Sequence, residues 1–99
     1  MSNTIPSKFT LGKLTATMKI ATRMAGDHKF HAFVMRSLKQ FADCDWGAIS
    51  EFDQEQNREA LLFGGRLLGA YIYEPDKKRI WIVTEADRSC TTVLYPEDY

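Results

Sequence analysis

The sequence has few cysteines, and its charges cancel. Its 99 residues contain only Cys44 and Cys90, which form no CxxC pair, and two thiols alone build neither a disulfide scaffold nor a zinc site. We expect both thiols to be reduced in a cytoplasmic protein, because disulfides are rare in the cytosol. The 13 Lys and Arg residues match 13 Asp and Glu residues. This balance argues against a protein that holds nucleic acid by bulk charge, and equally against an acidic mimic of DNA.

Long apolar runs and established catalytic motifs are also missing. The apolar runs are far shorter than the roughly 20 residues that span a bilayer, and no apolar stretch of a secretory signal follows Met1. Gly64 and Gly65 are not followed by the Lys-Ser/Thr of a phosphate-binding loop. His28 and His31 lie three apart without an HExxH pattern, so no metal site is predicted. We therefore predict a cytoplasmic protein, away from the membrane, that is not an enzyme and needs no cofactor.

The composition is that of one small globular domain. Hydrophobic residues make up 44% of the chain and charged residues 26%, which is too apolar for a wholly disordered protein. A length of 99 residues leaves no room for a second domain. We predict a flexible lead-in at residues 1–8 and a single domain at residues 9–99.

Three segments have the apolar spacing of helices. The clearest follows Asp27, a good N-cap, and places six apolar side chains on one helical face. These six are Phe30, Phe33, Val34, Leu38, Phe41 and Ala42. A shorter helix is predicted at residues 17–25. A third begins at Ser50, whose pairing with Asp53 resembles a capping box, and it stops at the glycines at 64–65.

From residue 66 the apolar period changes from 3.6 to 2, which is typical of strands. Strands are predicted at residues 66–73, 79–84 and 91–95, and a weaker strand pattern covers residues 9–16. Short connections favour an antiparallel meander of the three C-terminal strands. The predicted fold class is α+β, with two to three N-terminal helices packed on a C-terminal antiparallel sheet of three to four strands.

Aromatic side chains recur on the predicted strands. We expect one face of the sheet to pack on the helices, and the other to be exposed and to carry Tyr71, Tyr73, Trp81 and Tyr95 with Arg79. Tyr, Trp and Arg are enriched in interface cores, so Tyr71, Tyr73, Arg79 and Trp81 are predicted to bind a partner protein. The alternative is that these aromatic residues only pair across strands and stabilise the sheet.

Two polar loops offer further candidates for partner binding. Trp46 follows Asp45, and an exposed indole there would anchor a partner. Alternatively, the Trp46 ring tucks into the core and the aspartate caps backbone amides. Glu85, Asp87 and Arg88 follow the strongest predicted strand, and loops on a rigid sheet commonly carry binding groups. The alternative for this loop is an ion pair in which Arg88 clamps Glu85 or a terminal acid.

A series of short motifs runs from Phe9 onward. The motifs are Phe9-Thr-Leu-Gly12, Asp45-Trp-Gly47, Asn57 with Ala60-Leu61, Gly65-Arg-Leu-Leu68 with Ala70-Tyr71, Ile80-Trp-Ile82, Thr84-Glu-Ala-Asp-Arg-Ser89, Thr91-Thr-Val-Leu94 and Pro96-Glu-Asp-Tyr99. In these motifs the chain resembles a family of small proteins of bacteria and mobile elements known as "plasmid-related protein", often labelled type I restriction subunit M. A 99-residue chain is too short for a methyltransferase subunit, whose fold needs a larger doubly wound sheet. The N-terminal third departs from the family pattern, with Met18-Lys19 in place of a Pro-Gly.

The resemblance implies a mobile-element context, in which small proteins often disable host defences. We therefore predict an inhibitor of the anti-CRISPR or anti-restriction type. It would bind a host protein, such as a CRISPR or restriction effector, and cover a functional surface of that protein. A homodimer is left open. The alternative function is binding or sequestering a small ligand, such as a nucleotide signal, at the loop from Glu85 to Thr92.

Overall fold

Most helices precede most strands along the chain, which confirms the α+β class. The structure is a computed structural model that describes residues 6–99, so the first five residues of the predicted lead-in at 1–8 lie outside the described residues. Within that lead-in, the Lys8 amide donates to the Ala42 carbonyl at 2.9 Å. The elements are β1 (Lys13–Ala16), α1 (Met18–Gly26), α2 (His28–Ala42), α3 (Glu51–Phe63), β2 (Leu67–Tyr73), β3 (Lys78–Thr84), β4 (Cys90–Leu94) and a 3₁₀ turn (Pro96–Asp98).

The predicted helix caps are present in the structure. One carboxylate oxygen of Asp27 accepts hydrogen bonds from the amides of Lys29 and Phe30, each at 3.1 Å. At the start of α3, the Ser50 hydroxyl accepts from the Asp53 amide at 3.1 Å. Each cap pairs backbone donors that the first helical turn leaves free, which stabilises a helix by about 1 kcal/mol.

The four strands form one sheet in the order β1-β4-β3-β2. β2 with β3 and β3 with β4 pair antiparallel, as predicted for the C-terminal meander. β1, however, pairs parallel to β4, so the prediction of a fully antiparallel sheet is wrong. Antiparallel pairing was inferred from short turns, and no short turn joins β1 to β4 because the helices and two strands lie between them. The sheet is therefore mixed, with its parallel pair at one edge.

One face of the sheet, here called the core face, is covered by α1 and α2. The predicted apolar face of α2 is confirmed, since all six of its residues are buried. They meet the core-face side chains of the strands, among them Leu67, Ile80, Ile82 and Val93. Burial of each such side chain contributes about 1.5–3 kcal/mol to folding. The opposite side of the sheet is called the outer face.

The side chain of Asn57 links the third helix to the edge of the sheet. Asn57 is 2% exposed, and its amide nitrogen donates to the Leu68 carbonyl at 2.8 Å. Its oxygen accepts from the Leu68 amide at 3.1 Å. The side chain therefore takes the place of a neighbouring strand, because it satisfies both outward backbone groups of one β2 residue. This contact sets the position of α3 relative to β2.

The turn between β2 and β3 makes stability depend on pH. The Lys78 amide, and then the Arg23 guanidinium at 2.7 Å, hold the pKa of Asp76 below its usual range. A depressed pKa means that Asp76 stabilises the fold above the unfolded carboxyl's pKa of about 4, and that this contribution is lost as pH falls through the folded pKa. We expect Asp76→Asn to lower stability at pH 7 more than at pH 3, in urea unfolding at both pH values. An equal loss at both pH values would contradict this role.

Candidate protein-binding site

A half-open groove crosses the outer face between α3 and the C-terminal residues. Its floor is formed by Leu68, Trp81 and Val83 of β2 and β3, and its volume is about 380 Å³. The remaining lining residues are polar or amphipathic: Asp53, Gln56, Asn57, Arg66 and Tyr99. We call this set of eight residues the outer groove. An apolar floor with a few polar groups at its rim is the usual composition of a binding site.

Aromatic and charged side chains line one end of the outer groove. The rings of Trp81 and Tyr99 meet edge to face, with centroids 5.4 Å apart. The Arg66 guanidinium lies 5.3 Å from the centre of the Tyr99 ring, and its Nε is 3.9 Å from a Glu85 carboxylate oxygen. Both charged side chains are about half exposed, so this long ion pair is weak. Arg66 and Glu85 can therefore form ion pairs with charged groups of a bound partner.

The helix that walls the outer groove also exposes large apolar side chains. Phe52 and Leu62 are each 71% exposed and Phe63 is 84% exposed, while Asn57 and Ala60 on the same helix are buried. Phe52 lies one helical turn before the lining residue Gln56, so its exposed side chain lies next to the outer groove. Exposed apolar clusters rimmed by polar groups mark interaction sites on soluble proteins.

The predicted exposed aromatic face is wrong. Tyr71 and Tyr73 are 4% and 7% exposed and belong to the core. Tyr73 packs on Phe30 and Phe33, with ring centroids 5.3 and 5.1 Å away. The Tyr71 hydroxyl donates to the Asp45 carbonyl at 2.7 Å, and burial raises its pKa far above the usual value. These tyrosines lie on the opposite side of the sheet from Trp81, because the rings that fill the core come from the odd-numbered positions of β2.

Tyr95 is also buried, in the core cluster. The predicted alternation along β3 is nevertheless confirmed: Ile80, Ile82 and Thr84 are fully buried on the core face, whereas Arg79 and Trp81 lie on the outer face. Arg79 is exposed and donates to the Ala48 carbonyl at 3.2 Å. Of the residues predicted on the sheet, only Trp81 lines the outer groove, and Arg79 precedes it on the same face.

The structure agrees with the alternative interpretation for Trp46, in which the ring packs against the core. The half-buried ring lies 5.3 Å from the Phe41 ring and 6.0 Å from the Phe9 ring. Asp45 uses one carboxylate oxygen to accept from the Gly47 amide at 3.2 Å. These contacts leave part of the indole at the surface, but on the helical side of the protein and not in the outer groove.

The loop after β3 is held by hydrogen bonds between its side chains and backbone groups. Arg88 donates to the carbonyls of Ala60 and Gly65, at 3.0 and 2.6 Å, and to the Glu85 carbonyl at 3.2 Å. It therefore clamps carbonyl oxygens and not the Glu85 carboxylate. Asp87 accepts from the amide of Ser89 at 3.0 Å and is exposed. Of this loop, only the Glu85 carboxylate approaches the outer groove, through Arg66.

Sequence patterns did not reveal Arg66, Leu68, Tyr99 or the exposed side chains of α3 as site residues. The available signal was the position of Phe52 and Phe63, which fall off the helical face that carries Asn57 and Ala60. An apolar residue outside the buried face of a short helix points to a second contact surface.

Comparisons with known proteins give no relative: no protein-family profile, no curated protein and no solved structure matches this chain. Among residues 6–99, no helix is long and apolar enough to cross a membrane. Over the same range, no three or more His, Cys, Asp or Glu side chains cluster where they would hold a metal ion. Cys44 and Cys90 are free thiols.

Proposed function

We propose that this protein acts by binding another protein through the outer groove. The observation that supports this proposal is the apolar floor of the groove, which includes Trp81 and lies next to the exposed side chain of Phe52. Trp, Tyr and Arg side chains are the usual energetic anchors of protein interfaces, and three of these residues meet at one end of the groove. A partner would insert an apolar side chain over Leu68 and Val83.

Charged side chains at the rim of the outer groove would orient a bound partner protein. Asp53 of α3 lines the groove, and so does Arg66, which lies near Tyr99. A partner that places a basic group near Asp53 and an acidic group near Arg66 would be steered into one orientation. The net charge of zero does not oppose such a contact with a partner of either charge.

We further propose that the partner is a host defence protein, such as a CRISPR or restriction effector. The support is the resemblance to mobile-element proteins, whose context favours inhibitors of such systems. Inhibition would be steric, because the bound protein covers a working surface of the effector. No catalytic chemistry is required of this chain.

Phage plating on cells with a CRISPR or restriction system tests this proposal. We expect the wild-type protein to restore plaques against one such system and to co-purify with its effector. Arg66→Glu and Tyr99→Ala change exposed groove residues, so the fold is retained, and each is expected to weaken effector binding by about tenfold or more. Lys39→Glu, an exposed charge reversal on α2, is the matched control and should act as wild type. Full inhibition by both groove variants would reject the groove as the binding surface.

A small ligand is the second candidate, favoured by the volume of about 380 Å³ and by the aromatic rings beside Arg66. In the loop from Glu85 to Thr92 predicted to hold such a ligand, Thr91 is fully buried and its hydroxyl bonds to Thr84 at 2.6 Å, so this hydroxyl is not available to a ligand. Native mass spectrometry of the gently purified protein separates the two functions. A nucleotide bound in a one-to-one ratio, and lost in Arg66→Glu, would favour the ligand over the protein partner.

A further inference from the structure

Among the described residues 6–99, one backbone position at the edge of the sheet, Ile72, has no hydrogen-bond partner. β2 is an edge strand, and its outward groups are paired at Leu68 by Asn57. At Ala70 they are paired by the segment before α3: the Ala70 amide donates to the Trp46 carbonyl at 3.0 Å, and the Ala48 amide donates to the Ala70 carbonyl at 2.7 Å. Outward groups alternate along an antiparallel strand, so the amide and carbonyl of Ile72 also point to this edge.

Within residues 6–99, no group forms a hydrogen bond with the backbone of Ile72 at this edge. An unpaired amide and carbonyl on an edge strand form a template on which an extended peptide adds as a further strand. The segment at 46–48, which already runs parallel to β2 at Ala70, shows that this edge accepts such pairing.

Beside Ile72 lies a cavity of about 390 Å³ between α2 and the end of β2. Phe33 and Tyr73 line its apolar part, and His28, Lys29 and Arg36 line its α2 side. A second hollow of about 280 Å³ shares Phe33 and Ile72 with it and continues along the edge. The two hollows follow the strand, so their combined shape suits an extended occupant better than a compact one.

The rim of this cavity carries uncompensated positive charge. Glu74, the carboxylate that lines it, is paired with Lys77. Across the described range 6–99, neither Lys29 nor Arg36 forms a salt bridge. They lie seven residues apart on α2, which separates them by about 10 Å along the helix. Two acidic side chains four positions apart on a strand are separated by about 13 Å, a span that the long side chains of Lys29 and Arg36 can reach from both ends.

We propose that this edge binds an extended acidic segment of a partner protein. The partner runs antiparallel to β2: its residue opposite Ile72 pairs with the Ile72 amide and carbonyl, and the apolar residue before it points to the core face and enters the cavity beside Phe33 and Tyr73. Acidic side chains two positions before and after this apolar residue approach Lys29 and Arg36. The site lies on a different surface from the outer groove, so it is independent of the proposed function.

Fluorescence anisotropy with a labelled, end-capped peptide Glu-Thr-Phe-Thr-Glu tests the site. We expect saturable binding that weakens as salt is raised, and at least about tenfold weaker binding of Lys-Thr-Phe-Thr-Lys. Methylation of the amide nitrogen of the threonine after Phe, which pairs with Ile72, is expected to weaken binding to a similar degree, since it removes a strand hydrogen bond. No binding of the acidic peptide, or equal binding of the acidic and basic peptides, would overturn the proposal.

Protein variants separate the backbone contact from the charge contact. Ile72→Pro removes an amide that forms no bond within the sheet, a position where an edge strand tolerates proline, and Ile72→Val keeps that amide as the control. Arg36→Glu reverses the rim charge, with Lys39→Glu on the same helix as its control. We expect both test variants to weaken peptide binding about tenfold and both controls to bind as wild type. Thermal unfolding of each variant verifies the fold, and unchanged affinity in the two folded test variants would overturn the site.

Discussion

Replacing Asn57 with leucine is expected to lower the free energy of unfolding by about 2–4 kcal/mol, because both backbone groups of Leu68 lose their partner. Each buried and unpaired backbone group costs about 1–3 kcal/mol, and leucine is similar in size but offers no polar atom. Urea unfolding measures the change. Gln56→Leu, on the neighbouring and exposed position, serves as the control and should shift stability by less than about 0.5 kcal/mol.

Asn57→Asp separates hydrogen bonding from packing. Aspartate has the same shape, but at pH 7 its carboxylate lacks a donor and faces the Leu68 carbonyl. Burial favours the neutral acid, so the folded pKa of this new aspartate will be raised. Its destabilisation should therefore be largest at pH 7 and should shrink as pH falls and the acid regains a donor. A stability loss that is the same for Asp and Leu at every pH would show that the two hydrogen bonds contribute little.

Arg88→Met is the second substitution expected to have a large effect, a loss of about 2–4 kcal/mol in unfolding free energy. The guanidinium bonds the carbonyls of Ala60 and Gly65, at and just beyond the end of α3, and hydrogen bonds from a charged group each contribute about 1.5–3 kcal/mol. Carbonyls at a helix end otherwise have no partner. Chemical denaturation monitored by circular dichroism measures the loss.

Arg88→Lys and Asp87→Asn are the matched variants for this loop. Lysine keeps the charge but lacks the planar fork that reaches two carbonyls at once, so it should recover less than half of the stability. Asp87 is exposed, and its substitution should change stability by less than about 1 kcal/mol. If Arg88→Met unfolds as wild type but loses partner binding, Arg88 is a contact residue and not a clamp on α3.

Local signals predicted the elements well. α2 was predicted from Asp27 and one apolar face, since capping and a period of 3.6 are properties of the segment alone. β3 was predicted because it is β-branched and aromatic almost throughout, which is also a property of the segment alone. The direction of β1 was not predictable in the same way, because it depends on a partner strand remote in the sequence.

The candidate site was predicted less well, and β2 shows the reason. Both faces of this strand are apolar. Tyr71 and Tyr73 lie at its odd positions, and Leu68 and Ala70 lie at its even positions. A period of 2 separates two faces but does not say which face the helices cover when both carry apolar residues. The groove on the outer face also depends on Asn57, whose bond to Leu68 places α3 there, and no spacing rule predicts a side chain that replaces a strand.

The parallel pairing of β1 with β4 at the sheet edge also affects how fast the protein folds. Thr15 of β1 meets Thr92 of β4, 77 positions away, through hydroxyls 2.9 Å apart. β2 and β3 form a local hairpin, whereas β1 pairs with β4, a strand remote in the sequence. Contacts this distant in sequence slow folding, since a long loop must close before they form. On the ribosome, β1 emerges before β4, so it waits for residues 90–94 before this edge of the sheet can close.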